Sequence, residues 1–167
     1  MNATQPQLIQ THLNNADVVF TPDWVAKDMV EWFKPSGTIL EPSSGDGVFL
    51  EYLPAGTEWC EINKGRDFFK WDKRVDWIVG NPPYGIFADW LRYSFNISNN
   101  IVYLIPINKP YNSGKLLQQI NKWGSIKHIR YYANGAALGF PIGFAIGAIH
   151  FSKSATCTTY SSYNDLA

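Results

Sequence analysis

Hydrophobic positions change their spacing along this chain, and the changes divide it into elements. Val25, Met29, Trp32 and Phe33 recur at helical spacing and predict an amphipathic helix. Thr21-Pro22-Asp23 in front of them reads as its start: an N-cap, a proline at the first helical position, then an acid in the first turn. Pro35 and Gly37 end it. Thr38 to Leu40 reads as a short strand, Gly45 and Gly47 as a tight turn, and Val48 to Leu53 as the start of a helix. Glu58 to Glu61 and Val75 to Val79 read as further strands. Phe87, Leu91 and Phe95 form a helical stripe, and Ile101 to Ile105 is a continuous apolar run of the kind buried on both faces. Leu116, Leu117, Ile120 and Trp123 predict another helix. Ile126 to Tyr132 alternates and stops at the turn signal Asn134-Gly135, and Ile142 to Phe151 supplies a last strand.

Strands alternating with helices predict a doubly wound α/β domain. No helical pattern separates the last two strands, so an antiparallel pair at one edge of the sheet is expected. A chain of 167 residues suits one domain. Residues 1–17 read as a polar segment outside the fold, 18–152 as the domain, and 153–167 as a Ser/Thr-rich tail of poor order.

Composition narrows the class. An apolar content of 46% fits a globular chain and excludes a disordered one. The longest uncharged apolar run, Ala136 to Ile149, is broken by Pro141 and is too short to span a membrane. No secretory leader is visible at the N-terminus. Cys60 and Cys157 have no CxxC partner and no histidine at ligand spacing. That argues against a structural metal and a disulfide framework, and fits a reducing cytoplasm. The net charge of zero hides an asymmetry. Met1 to Asp89 holds 13 acidic and 7 basic residues, whereas Trp90 to Asn164 holds 7 basic residues and no acidic one. One reading is a face for phosphates. The other is a solvated surface, because halves of a sequence need not form opposite faces.

The candidate chemistry centres on Asn81-Pro82-Pro83-Tyr84, which follows the apolar run Trp77 to Gly80. The end of a strand is the usual place for a site in an open α/β sheet. The asparagine offers a carbonyl acceptor, the prolines carry no competing N–H, and the tyrosine offers a flat face. Together they suit a planar amino group. Glu41-Pro42-Ser43-Ser44-Gly45-Asp46-Gly47 ends an earlier strand with an acid and lets the backbone approach a ligand. Glu61 ends the next strand, where a carboxylate can accept ribose hydroxyls. Asp67-Phe68 follows; an aspartate can accept from an adenine amino group while a phenylalanine packs on the ring.

In this order the segments resemble those of S-adenosylmethionine-dependent amino-methyltransferases, most closely the DNA adenine-N6 methyltransferases of the gamma class. The resemblance runs from about Phe20 to Phe151 and includes the helix start at Thr21-Pro22. It implies a class I methyltransferase fold: a Rossmann-like three-layer sandwich, mostly parallel, with one antiparallel strand. It implies S-adenosylmethionine as cofactor, held by Thr21, Glu41, Pro42, Ser43, Gly45, Gly47, Glu61, Asp67 and Phe68, with no metal. Asn81, Pro82, Pro83 and Tyr84 become the catalytic set. Phe140-Pro141 resembles the loop whose ring packs on the target base, which is flipped out and held between Tyr84 and Phe140. Arg92, Lys109, Lys115 and Arg130 become the candidates for nucleic-acid phosphates.

Two departures shape the expectations. Only five residues separate Glu61 from Asp67, too few for the helix usual there, so a tight loop is expected. No target-recognition domain and no long insertion after Tyr84 is visible, so relaxed specificity, a partner chain or a homodimer is expected. Three other readings stay open: an RNA-base methyltransferase, a protein glutamine-N5 methyltransferase, and a non-catalytic partner subunit. Methylation at a pyrimidine carbon is disfavoured, because it needs a cysteine nucleophile at the tetrad's position.

Overall fold

Seven strands build one sheet: β1 (Ile39–Glu41), β2 (Glu58–Trp59), β3 (Trp77–Gly80), β4 (Asn100–Pro106), β5 (Ser125–Asn134), β6 (Ala145–Ser152) and β7 (Thr159–Ser162). Among the described residues three α-helices accompany them: α1 (Asp23–Phe33), α2 (Phe87–Ile97) and α3 (Gly114–Trp123). The computed structural model describes residues 19–163; the polar segment 1–17 and the end of the tail lie outside the described residues. The strand order is β2-β1-β3-β4-β6-β5-β7.

Alternation along the central strands sets the layers. In β4, Ile101, Tyr103 and Ile105 face one side, and Val102 and Leu104 the other. The first side packs on α2 and α3 through Leu91, Leu116 and Ile120. The second packs on α1 through Val25, Ala26 and Met29. Covered on both faces, β4 is buried along almost its whole length, as its unbroken apolar run predicts. The three-layer α/β architecture is therefore the expected one. None of the helices among the described residues is long and apolar enough to cross a membrane.

The edges differ from expectation. β6 is antiparallel to both β4 and β5 and lies between them, not at an edge. Beyond β5 the tail adds β7, parallel to β5. Its alternate hydroxyls supply the reason: Thr159 Oγ1 and Ser161 Oγ lie 2.6 and 2.7 Å from the two ring nitrogens of His128. Tyr163 then packs on Trp24, with ring centroids 4.8 Å apart. At the other edge β2 is two residues long, and the chain returns to β3 through single 3₁₀ turns at Ile62–Lys64 and Phe68–Lys70. The tight loop expected between Glu61 and Asp67 is thus present. The helix expected from Val48 is one 3₁₀ turn, Val48–Glu51.

Arg130 does not face phosphates. It is 6% exposed. Its Nε and Nη2 donate to the two oxygens of Asp28 at 2.6 and 2.8 Å, and its guanidinium lies 3.9 Å over the Trp32 ring. Tyr132 donates its hydroxyl to the same carboxylate at 2.7 Å. This network pins α1 to β5. Asp28→Ala would leave a buried guanidinium without its counter-charge, so a loss of about 3–5 kcal/mol is expected in urea unfolding. A loss under about 1 kcal/mol, the worth of a surface pair, would contradict the assignment.

Because β1, β2, β3, β4, β5 and β7 share one direction, the loops after Glu41, Trp59, Gly80, Pro106 and Asn134 open at one edge of the sheet.

Candidate functional site

A cavity of about 320 Å³ opens at that edge, between the loops that follow β1 and β3. Pro42, Ser43, Gly45, Glu61, Asp67, Phe68, Asn81 and Pro83 line it. A smaller cavity of about 130 Å³ adjoins it and adds Thr21 and Ser44. Of the nine residues expected around a cofactor, only Glu41 and Gly47 line neither cavity.

The glycine loop is held open by its neighbours. Gly45 and Gly47 have φ of +50° and +93°, the left-handed region that side chains avoid. Glu61 Oε2 accepts from Gly45 N at 2.8 Å, and its Oε1 from Asn63 N at 3.0 Å. Each oxygen keeps further acceptor capacity. Lys64 Nζ donates to Gly45 O at 2.9 Å. Asp67 Oδ1 accepts from Phe69 N at 3.0 Å, so the aspartate caps the turn that carries Phe68. Phe68 lies against Trp90, with centroids 4.5 Å apart. Ser43 Oγ donates to Asn81 O at 2.9 Å and ties the glycine loop to the tetrad.

Asn81 is oriented by its amide nitrogen. Nδ2 donates to Val19 O and to Thr21 Oγ1, both at 3.1 Å. With both N–H bonds used, the side-chain oxygen is the atom left over, and it is buried without a hydrogen-bond partner. An unsatisfied buried acceptor costs about 1–3 kcal/mol. Thr21 therefore acts on Asn81 rather than as the N-cap of α1, whose cap position is Pro22 without a side-chain bond. Behind the tetrad, Lys109 Nζ donates to Tyr84 O at 2.9 Å.

Glu41 is fully buried beneath this loop. Its Oε1 accepts from Ser43 N at 3.2 Å, while Oε2 has no partner. Burial pushes its carboxyl up to about 8, against smaller lowering by the Ser43 N–H and by Lys64. The neighbouring strand accommodates it only through glycine: a Cβ on Gly80 would lie 2.9 Å from Glu41 Oε1.

The two rings expected around a base are not face to face. Tyr84 is 7% exposed and packs with Phe87, Trp90 and Leu91 on the α2 side of the sheet. Phe140 is 4% exposed and packs with Tyr132, Leu138 and Ile146 on the α1 side. Neither lines the cavities. The exposed ring of the loop after β5 is Phe144, at 57%. Of the basic candidates, Lys115 is exposed at the start of α3, and Arg92 is held by the Asp89 carboxylate and by Gln119 Oε1 at 2.7 Å. Asn63, Lys64 and Trp90 line the larger cavity without having been singled out in the sequence. Lys64 and Asn63 carried a signal, being within three residues of Glu61; Trp90, inside a helical stripe, carried none.

No protein-family model matches the sequence, and no curated protein does. Solved structures do match in shape. A modification subunit assigned to a type I restriction enzyme of Vibrio vulnificus superposes with a TM-score of 0.66 at 15% identity, over 93% of this chain and 49% of that one. The M protein of the type I restriction enzyme EcoKI gives 0.64 at 13% identity, over 92% and 48%. A protein assigned as a class I S-adenosylmethionine-dependent methyltransferase from Listeria monocytogenes gives 0.62 at 12% identity, over 95% and 70%. The fold is that of the class I methyltransferases, and the chain spans about half the length of the two restriction-system subunits.

Proposed function

We propose that the chain transfers a methyl group from S-adenosylmethionine to the exocyclic amino group of adenine in DNA. The observation that carries this reading is the Asn81 side-chain oxygen, buried, unpartnered and aimed by an amide nitrogen whose two hydrogens are already taken. Such an atom is an acceptor awaiting a planar N–H donor. That seven of the nine residues expected to hold the cofactor line the two adjoining cavities supports this reading. The larger cavity's volume of about 320 Å³ falls among small-molecule sites, which span about 300–1,000 Å³. Glu61 would take the ribose hydroxyls, Asp67 the adenine amino group, and Phe68 the ring face, with the glycine loop beneath. S-adenosylmethionine supplies an electrophilic methyl group on its sulfonium.

The chain's own work is positioning. Asn81 Oδ1 and the Pro82 carbonyl accept the two amino hydrogens of the target, which leaves the nitrogen lone pair directed at the methyl group. Bound there, the cofactor would supply the methyl group and leave as the neutral thioether, and the methylated amine would give up its extra proton to water. No base has to act before transfer. The match in shape to restriction-system modification subunits supports a DNA substrate.

In this reading the ring of the β5–β6 loop that meets the base is Phe144, not Phe140. Phe144→Ala is expected to leave melting unchanged and to raise KM for DNA about tenfold, in line with the loss of one base-stacking contact. Phe140→Ala is expected to cost about 3–5 kcal/mol of stability, as for a core phenylalanine. The reverse pattern would return the role to Phe140. The function itself is tested by labelled methyl transfer to duplex DNA, single-stranded DNA, RNA and a glutamine-containing peptide, with mass spectrometry of the product. N6-methyladenine in DNA is the expected product. Label confined to RNA or to the peptide would replace adenine in DNA as the substrate.

A further inference from the structure

Three tyrosines remain outside the core on the side of the sheet that α3 covers only in part. Tyr111 is 48% exposed, Tyr131 39% and Tyr160 71%. Their common face follows from alternation. His128 and Arg130 of β5 turn toward α1, where they meet Phe33 and Asp28. Ile129 therefore turns the other way, into the cluster with Leu116 and Ile120, and Tyr131 with it. Tyr160 stands opposite Ile129 in the parallel pairing of β7 with β5, so it shares that face. Tyr111 closes the single turn Lys109–Tyr111 before α3.

The position of this face relative to the site matters as much as its composition. Lys109, two residues before Tyr111, donates to the Tyr84 carbonyl. The tyrosines thus run outward from the tetrad toward the β7 edge. Every residue of this path, from Lys109 through β7, belongs to the stretch Trp90 to Asn164, which contains seven basic residues and no acidic one. Lys115 is exposed at the start of the helix that borders it. Exposed aromatic rings beside lysines complement a polyanion that also offers flat rings.

We propose that Tyr111, Tyr131 and Tyr160 form a stacking platform for unpaired DNA next to the target base, with Lys109 and Lys115 on its phosphates. The inference rests on the proposed DNA reading and specifies its substrate: a single strand or a locally opened duplex. Bases in a duplex are stacked on each other and present no free face to a tyrosine. Unpaired bases do, and stacking of this kind tolerates any sequence.

The test is fluorescence anisotropy with a labelled single-stranded oligonucleotide and its duplex, using the full chain. Each Tyr→Ala exchange is expected to weaken single-strand binding about tenfold, and the triple variant more, because each removes one stacking surface. Duplex binding should change less than about twofold, and Tyr→Phe at the same positions should restore single-strand binding. Unchanged single-strand affinity in the triple alanine variant overturns the platform, as does an equal loss on both ligands or a failure of phenylalanine to rescue. Methyl transfer, measured in parallel, separates this from the functional reading. Tyrosine-dependent strand binding without methyl transfer to any substrate sustains the platform and removes the activity. Transfer that is indifferent to all three tyrosines, with unchanged binding, does the opposite.

Discussion

Asn81→Ala is expected to reduce single-turnover methyl transfer by at least about 100- to 1,000-fold, the usual effect of deleting one preorganised hydrogen-bonding group that acts on the reacting atoms. The cofactor dissociation constant should stay within a few-fold. The asymmetry follows from the geometry. The glycine loop, Glu61, Asp67 and Phe68 line the larger cavity independently of Asn81, and these remain. What disappears is the acceptor that Val19 O and Thr21 Oγ1 aim by holding the amide nitrogen. Thr21→Val provides the graded counterpart. It removes one of the two anchors while leaving the asparagine, so a smaller loss, about tenfold, is expected in kcat with little change in KM. Near-wild-type turnover in Asn81→Ala would remove the mechanism. Equal losses of cofactor binding and of rate would instead make Asn81 part of the cavity wall.

The elements most readable in the sequence are those whose signals are local. The run Ile101 to Ile105 announces a strand buried on both faces, and it is β4. The tetrad announces a strand end, and Gly80 is the last residue of β3. What eluded the sequence depends on partners far along the chain. Arg130 reads as a surface cation until Asp28, 102 residues away, is placed beside it. β7 reads as tail because Thr159 and Ser161 are polar, yet their hydroxyls are what His128 bonds. Phe140 and Phe144 are equivalent as letters in a loop. Only the packing of the turn Gly135–Leu138 buries one and exposes the other. The free oxygen of Asn81 belongs to the same class, since it becomes visible only when Val19 and Thr21 are seen to occupy the nitrogen.

Glu41→Gln is expected to stabilise the protein at alkaline pH and to do so increasingly between about pH 4.5 and 8. The carboxyl rises to about 8 in the fold from an ordinary 4.5, chiefly because burial disfavours its charge. Between these values the unfolded chain has lost the proton and the native chain retains it. The native state then binds more protons, so stability falls with rising pH at about 1.4 kcal/mol per pH unit, and levels off above pH 8. The full penalty is about 4–5 kcal/mol, large against the total of about 5–15 kcal/mol of a typical domain. His150 acts with the opposite sign. Burial first, then the charges of Lys127 and His128, lower it to about 3 from 6.5. The unfolded state binds the extra proton in that window, so stability is complete above pH 6.5 and is lost as pH falls toward 3. The two slopes oppose each other between pH 4.5 and 6.5, which predicts a plateau there with a decline on either side. Urea unfolding across pH 4 to 9 checks this. In Glu41→Gln the alkaline decline should vanish while the acid decline remains. If the alkaline decline persists unchanged, Glu41 is ionised in the native state at neutral pH, and its second oxygen must then have a partner. A neutral carboxyl beneath the glycine loop leads to a functional consequence as well. A cationic ligand bound in the adjoining cavity favours the ionised form, so cofactor binding at pH 7 should release up to one proton, and Glu41→Gln should abolish that release.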